Sequence, residues 1–226
     1  MSYFATQIMD EEGNISYALT GAGYGVLIAV MLAVLLLGCM ISGSSGRKIN
    51  TKQLVFSAMA IALGMVTSMV KLVDMPMGGS VTLCSMMFIC LIGYMFGLRT
   101  GLTAAIAYGF LQLIVDPYII SVPQMLTDYI LAFGALGLSG MFKDKKHGMV
   151  LGYIVGVLGR YFFTFLSGMI FFGSYGAYYN MSAPIYSLVY NGAYLGLEAL
   201  VTVVILLLPP VCAGLSKVRN MAGNAL

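Results

Sequence analysis

The stretch that decides the fold class of this chain is GMVLGYIVGVLGRYFFTFLSGMIFF, residues 148–172. Its only charged side chain is that of Arg160, and all the other residues are apolar, small or uncharged. An α-helix needs about 20 predominantly apolar residues to cross the roughly 30 Å hydrocarbon core of a bilayer. Residues 148–172 therefore predict a helix that spans a membrane.

The rest of the chain has the same apolar character. Of its 226 residues, 60% are hydrophobic and 8% are charged, whereas soluble domains are about 25% charged. Apolar runs long enough to be candidate spans occur at residues 20–42, 52–72, 80–96, 100–115, 123–142, 148–172 and 184–209. The sequence therefore predicts an all-α integral membrane protein in the lipid bilayer.

Lysine and arginine are concentrated in alternate loops between these spans. Nine of the eleven basic residues follow this pattern: Arg47, Lys48, Lys52, Arg99, Lys143, Lys145, Lys146, Lys217 and Arg219. Because basic residues in short loops stay on the cytoplasmic side, we predict an N-terminus outside the cell membrane and a cytoplasmic C-terminus. The net charge of +3 reflects this orientation, and we expect no nucleic-acid partner.

The sequence contains none of the common catalytic or metal-binding motifs. GxxxxGK, HExxH and GxSxG are all absent, and the single histidine, His147, lies in a basic loop on the predicted cytoplasmic side. The four cysteines lack metal-binding spacing. We therefore predict that the protein is not an enzyme and that it holds neither a metal nor a cofactor.

Three charged residues fall inside the predicted spans away from the span ends: Asp128, Arg160 and Glu198. Charges in hydrocarbon are costly and mark either a functional site or a buried partner. One interpretation is that Arg160 pairs with one of the acids and only locks the bundle. Asp128 differs because it lies about five residues into its span from the predicted outer side, within reach of a cavity opened by the outer loops.

Aromatic and polar residues occur at a depth similar to that of Asp128. In the span over 148–172, Arg160, Thr164, Gly168 and Phe172 recur every four residues and share one helix face. Tyrosine at this depth is also typical of the membrane interface. A flat cationic heteroaromatic ligand would use such rings for stacking and a carboxylate for its charge or amino group.

The span over 52–72 carries two pairs of small residues. Ala58 and Ala62 are four residues apart, as are Ala60 and Gly64. Small residues at this spacing let helices approach closely. The pairs therefore indicate either internal packing or docking onto another membrane subunit.

Five strings run through most of residues 52–209: KLVDMPMGGSVTL (71–83), YGFLQLIVDPYI (108–119), TDYILAFGALGLSG (127–140), LGRYFFTFLSGMIFFGSY (158–175) and PIYSLVYNGAY (184–194). In this order they resemble the thiamine-specific substrate-binding (S) component of the energy-coupling factor (ECF) vitamin transporters. The resemblance implies a six-helix membrane domain over 47–226, preceded over 1–46 by an extracellular tail and one additional transmembrane helix. It also implies that MPMGGS (75–80) belongs to a loop that caps the pocket.

The resemblance further implies ligand contacts and partners. The family's ligand-binding positions correspond to Tyr118, Asp128, Tyr129, Thr164, Gly168, Phe172, Tyr186 and Asn191. In that family the S component docks through an AxxxA face, here Ala58 and Ala62, onto an ECF transmembrane subunit that works with two ATPase subunits.

Three positions depart from the family pattern. Asp128 stands where the family has glutamate, Thr164 replaces a histidine, and Phe172 replaces a stacking tryptophan in a chain without tryptophan. Loss of a histidine donor costs on the order of 1 to 3 kcal/mol of binding energy. We therefore expect weaker affinity or a related ligand.

The predicted function is capture of thiamine from outside for ATP-driven uptake by partner subunits. A thiamine precursor or another flat vitamin is the alternative ligand. A stand-alone proton-coupled carrier that uses Asp128, Arg160 and Glu198 is the alternative mechanism, and a membrane enzyme acting on lipids is a weaker third.

Overall fold

The structure of the protein is a computed structural model that describes residues 3, 5–9, 15–23, 25–26, 29, 51–75 and 78–223. The predicted additional span over 20–42 falls mostly outside these residues, as does much of the predicted N-terminal unit, 1–46. The described part of that unit contains two antiparallel strands, β1 (Ala5–Met9) and β2 (Ile15–Leu19).

Residues 51–223 are mostly helical. The helices are α1 (Thr51–Met69), α2 (Ser85–Phe96), α3 (Leu98–Val115), α4 (Val122–Phe142), α5 (Gly148–Phe171), α6 (Ala183–Leu207) and α7 (Pro209–Gly223). Within the described residues, five of them, α1, α3, α4, α5 and α6, are long and apolar enough to cross a membrane. The prediction of a helical membrane protein is confirmed.

One predicted span begins later than the sequence suggested. Residues 80–96 were predicted as continuous helix, but Ser80–Thr82 forms strand β4, which pairs antiparallel with β3 (Lys71–Asp74). Helix α2 starts only after Cys84, whose positive φ of 57° breaks the helical path. The prediction of helix from residue 80 was wrong because a local hairpin satisfies the backbone there.

Helix α4 is irregular along its length. It contains a π-helical turn, Leu126–Leu131, and ends in a 3₁₀ segment, Ala135–Phe142. Its second half packs closely on α3, because a Cβ at Gly137 would lie 2.5 Å from the Leu102 backbone. The π-helical turn carries Asp128 and Tyr129, and such turns often occur at functional sites.

Charged side chains make contacts at both ends of the bundle. At one end, Arg219 of α7 donates hydrogen bonds to the Tyr94 hydroxyl (2.9 Å) and to the Lys143 carbonyl (2.8 Å). At the other end, Lys71 of β3 lies 2.8 Å from the Asp116 carboxylate at the end of α3. The Lys71–Asp116 hydrogen bond, together with the charge of the carboxylate, raises the pKa of Lys71. The basic loops and the β3–β4 hairpin therefore lie at opposite ends of the helices.

Candidate ligand-binding site

A cavity of about 140 Å³ lies between the β3–β4 hairpin and helices α3, α4, α5 and α6. That volume is roughly ten times the space needed to admit one water molecule. All eight residues predicted to bind a ligand line it: Tyr118, Asp128, Tyr129, Thr164, Gly168, Phe172, Tyr186 and Asn191. We call the end bounded by Gly79, Tyr118 and Phe172 the loop end, and the end bounded by Arg160 and Glu198 the deep end.

The Asp128 carboxylate is held by Gln124, a residue that the sequence reasoning missed. The Gln124 side-chain amide donates a hydrogen bond of 2.7 Å to Asp128 Oδ2 and one of 3.1 Å to the Tyr118 carbonyl. Its oxygen accepts from the Ile120 backbone N–H at 3.0 Å. Gln124 is only 1% exposed, so it fixes the carboxylate relative to the loop that follows α3.

Tyr129 braces the same loop from the π-helical turn. Its hydroxyl accepts a hydrogen bond of 2.7 Å from the Tyr118 backbone N–H and donates one of 2.9 Å to the Asp116 carbonyl. The ring also lines the cavity. Tyr129 therefore positions the Asp116–Tyr118 segment as well as forming part of the wall.

Arg160 forms no ion pair with either intramembrane acid. Among the described acidic residues, none lies within 4.0 Å of its guanidinium nitrogens. Its guanidinium carbon instead lies 4.0 Å from the centre of the Phe133 ring, a cation–π contact. The interpretation that Arg160 pairs with Asp128 or Glu198 to lock the bundle was wrong.

Glu198 is occupied by a different set of groups. Its carboxylate accepts hydrogen bonds from the Thr82 N–H (3.1 Å), the Thr82 hydroxyl (2.8 Å), the Ser85 hydroxyl (3.3 Å) and the Met86 N–H (3.4 Å). A carboxylate at a helix N-terminus satisfies free N–H groups and complements the helix dipole. Glu198 thus joins α6 to the hairpin and to the start of α2.

Asn191 connects α5 and α6 beside the cavity. Its amide donates to the Ser187 carbonyl (2.9 Å) and to the Thr164 carbonyl (3.2 Å), and its oxygen accepts from the Tyr194 hydroxyl (3.0 Å). A Cβ at Gly168 would lie 3.0 Å from the Asn191 amide nitrogen. Gly168 therefore serves the close approach of these two helices in addition to lining the cavity.

Thr164 does not offer the donor that a histidine would. Its hydroxyl lies 3.2 Å from the Arg160 carbonyl and 3.1 Å from the Tyr161 carbonyl, and it donates within its own helix. Only the lone pairs of this oxygen remain for another partner. Thr164 therefore offers no free hydrogen-bond donor to this wall.

Aromatic rings form two walls of the cavity. On one side the rings of Tyr118 and Phe172 stack with centroids 5.9 Å apart. On the other, Tyr186 stacks on Tyr190 at 5.6 Å, and Tyr190 meets Tyr194 edge to face at 5.7 Å. Tyr190 and Tyr194 were missed, although tyrosines at 186, 190 and 194 recur every four residues, which is a readable helical pattern.

The loop between β3 and β4 reaches the loop end of the cavity. The Gly79 N–H donates a hydrogen bond of 3.0 Å to the Tyr190 hydroxyl. Gly78, with a φ of 85°, would bring a Cβ 3.4 Å from the Tyr118 ring. Positive φ favours glycine, so this pair lets the backbone lie against both aromatic walls. Pro76 and Met77 lie outside the described residues.

Two polar atoms at the cavity remain without a hydrogen-bond partner in the described structure. Ser167 Oγ, whose residue is 1% exposed, makes no hydrogen bond of standard geometry, and it interacts with the Asp128 carboxylate beside it. Arg160 Nε is also buried and has no hydrogen-bond partner among the described residues. Buried polar groups are normally paired, so the Arg160 Nε–H remains available to an acceptor beyond the described residues.

The two pairs of small residues on α1 lie on different faces. Ala60 and Gly64 are buried, and a Cβ at Gly64 would lie 3.3 Å from the side chains of Ile89 and Tyr108. Ala58 and Ala62 are exposed and lie apart from the cavity. Internal packing thus accounts for the first pair and leaves the second available.

Comparison with known proteins gives consistent matches. Residues 54–216 match the family described as thiamine transporter protein. The thiamine transporter ThiT of Bacillus subtilis (strain 168) is 34% identical over 168 residues, which cover 68% of this chain and 85% of that protein. A solved structure of ThiT from Listeria monocytogenes superposes with a TM-score of 0.60 at 24% identity, covering 76% of this chain and 96% of the solved one. This structural likeness shows a shared fold.

Proposed function

The chain belongs to the thiamine transporter protein family, and from that premise we propose that it is the S component of an ECF transporter, which captures thiamine from outside the cell. The observation that carries the proposal is the Asp128 carboxylate, which faces an aromatic-lined cavity and makes no ion pair with Arg160. Thiamine offers an aminopyrimidine and a cationic thiazolium, the two chemical groups that such a cavity suits.

The proposed contacts follow from the chemistry of the lining residues. Asp128 accepts a hydrogen bond from the amino group of the pyrimidine. Tyr129, Tyr186 and Asn191 orient that ring, and Tyr118 with Phe172 packs against the ligand rings. Thr164 and Gly168 form the wall on α5, where the missing side chain of Gly168 lets Ser187 and Asn191 of α6 come close.

The departures from the family pattern set the expected affinity. Because the Thr164 hydroxyl already donates to backbone carbonyls of its own helix, it does not replace a histidine donor. Phenylalanine is also a weaker cation–π partner than tryptophan. These two features favour weaker binding of thiamine, and they keep a pyrimidine precursor as the second candidate ligand.

We further propose partners and an orientation. The exposed Ala58 and Ala62 on α1 offer a close-packing face for an ECF transmembrane subunit, which would work with two ATPase subunits. The end that carries Lys143 and Arg219 is cytoplasmic by the rule that basic loops stay inside, so the loop end of the cavity faces outward. We also propose that residues 1–46, most of which lie outside the described residues, are a unit separate from the membrane domain over 47–226.

Uptake into proteoliposomes tests this function. The protein alone should bind radiolabelled thiamine without accumulating it, whereas vesicles that also contain the transmembrane and ATPase subunits should accumulate it when ATP is enclosed. Accumulation by the protein alone, driven by a proton gradient, would contradict the proposal and favour a secondary carrier. The four donors on Glu198 count against that carrier, because they hold the acid that a proton relay would need.

A further inference from the structure

Arg160 is a charged side chain of the cavity that the proposed contacts leave unused. It lines the cavity, and its Nε is buried without a hydrogen-bond partner in the described residues. A guanidinium carries five N–H donors and accepts no hydrogen bond. A charge at membrane depth normally has a partner, so the partner of Arg160 has to be identified.

The groups around Arg160 do not supply that partner. The Phe133 ring, 4.0 Å from the guanidinium carbon, attracts the charge, but an aromatic face does not take the place of an oxygen acceptor for the N–H groups. Glu198 is surrounded by its own four donors from the hairpin and α2. Asp128 is held by Gln124 at 2.7 Å. Neither acid therefore forms an ion pair with the guanidinium, although the Asp128 carboxylate keeps acceptor sites beyond its bond from Gln124.

The position of Arg160 on α5 places its unpaired Nε–H donor at the deep end. At a rise of about 1.5 Å per residue, the Arg160 Cα lies roughly 18 Å along the helix axis from that of Phe172 and roughly 10 Å from that of Ser167. Because Ser167 lies beside Asp128, the backbone position of Arg160 is deeper in the cavity than the Asp128 carboxylate. An elongated ligand can contact both.

We propose that Arg160 is a ligand-binding residue whose guanidinium binds an oxygen acceptor at the far end of the ligand. The inference rests on the proposed function, in which Asp128 binds the amino group of the same molecule. In thiamine the acceptor is the oxygen of the hydroxyethyl group, either as the free hydroxyl or as its phosphate ester. Both have the same chemistry at the guanidinium, an oxygen that accepts N–H hydrogen bonds, and the ester adds a negative charge.

Titration calorimetry of three ligands against wild type, Arg160→Gln and Arg160→Lys tests this assignment. The ligands are thiamine, its analogue with hydrogen in place of the hydroxyl, and thiamine monophosphate. Wild type should prefer thiamine over the analogue by about 10-fold, because a charged hydrogen bond is lost. Arg160→Gln should bind these two about equally and should weaken the monophosphate by at least another 10-fold relative to thiamine. Arg160→Lys keeps the positive charge but lacks the planar set of N–H donors of a guanidinium. It should retain most of the affinity for the monophosphate.

An equal loss of affinity for all three ligands in Arg160→Gln would overturn the inference. Arg160 would then act only through side-chain packing or through the electrostatic field of the cavity. An unchanged preference for thiamine over the analogue would overturn it as well. If wild type bound none of the three ligands, the proposed function would fail, and the inference with it. Unfolding temperatures of the ligand-free variants establish that the proteins compared are folded, and Arg160→Lys supplies the comparison if Arg160→Gln is not.

Discussion

Replacement of Asp128 by asparagine removes the charge from the proposed ligand contact and keeps its shape. The carboxylate accepts a 2.7 Å hydrogen bond from Gln124, and an amide oxygen can accept the same bond. The loop that Gln124 holds through Tyr118 and Ile120 should therefore survive the substitution. We expect the unfolding temperature of the ligand-free protein to change little.

The loss of thiamine affinity has two parts. A hydrogen bond to a charged group contributes about 1 kcal/mol more than one to a neutral group. The Coulomb attraction between Asp128 and the thiazolium adds about 1 to 2 kcal/mol at an effective dielectric constant near 20 and separations of roughly 8 to 12 Å. The sum of about 2 to 3 kcal/mol corresponds to roughly a 30- to 150-fold increase in Kd.

Calorimetric titration of detergent-purified wild type and Asp128→Asn with thiamine measures this loss. A matched ligand, the analogue with a neutral benzene ring in place of the thiazolium, separates the two parts, because it should lose only about 5- to 10-fold through the weaker hydrogen bond. Equal Kd values for thiamine in wild type and a folded Asp128→Asn would refute the reasoning.

Three further substitutions test the fold and the walls of the cavity. Glu198→Ala should destabilise the protein by about 3 kcal/mol or more, because buried donors at Thr82 and Met86 lose their acceptor. An unfolding temperature close to that of wild type would contradict this prediction and show that water replaces the carboxylate. Gly137→Ala should destabilise the protein by about 1 to 3 kcal/mol, because its Cβ forces α3 and α4 apart. Gly196→Ala is the control: no atom lies within 4 Å of its new Cβ, so the unfolding temperature should stay unchanged or rise. Equal effects of the two substitutions would contradict the close packing. Phe172→Trp should tighten thiamine binding about 2- to 5-fold through a stronger cation–π contact, and weaker binding in a folded variant would mean that this ring does not stack on the ligand.

The long apolar runs allowed most of the fold to be predicted. The helices over Gly148–Phe171 and Ala183–Leu207 match the predicted spans 148–172 and 184–209 closely, because hydrophobic length alone defines a helix that crosses a bilayer. The start of α2 could not be predicted in this way. Val81 and Thr82 are as compatible with the end of an apolar helix as with a strand, and only pairing with Lys71–Asp74 decides between them.

The positions around the cavity could be predicted, but their partners could not. Helical spacing and family resemblance brought Asp128, Phe172 and Asn191 to one cavity. The role of Glu198 depends on Thr82, 116 residues away in the chain, and no local pattern carries that information. The interpretation that Arg160 pairs with an acid was wrong for the same reason, because the Phe133 ring rather than an acid lies next to it.

A crystal structure of the protein with thiamine bound measures the proposed recognition itself. We predict that the pyrimidine amino group lies about 3 Å from the Asp128 carboxylate, inside the cavity formed by α3 to α6, with Tyr118 and Phe172 against the ligand rings. Thiamine bound outside this cavity, or an Asp128 carboxylate turned away from the ligand and paired with Arg160, would contradict the prediction.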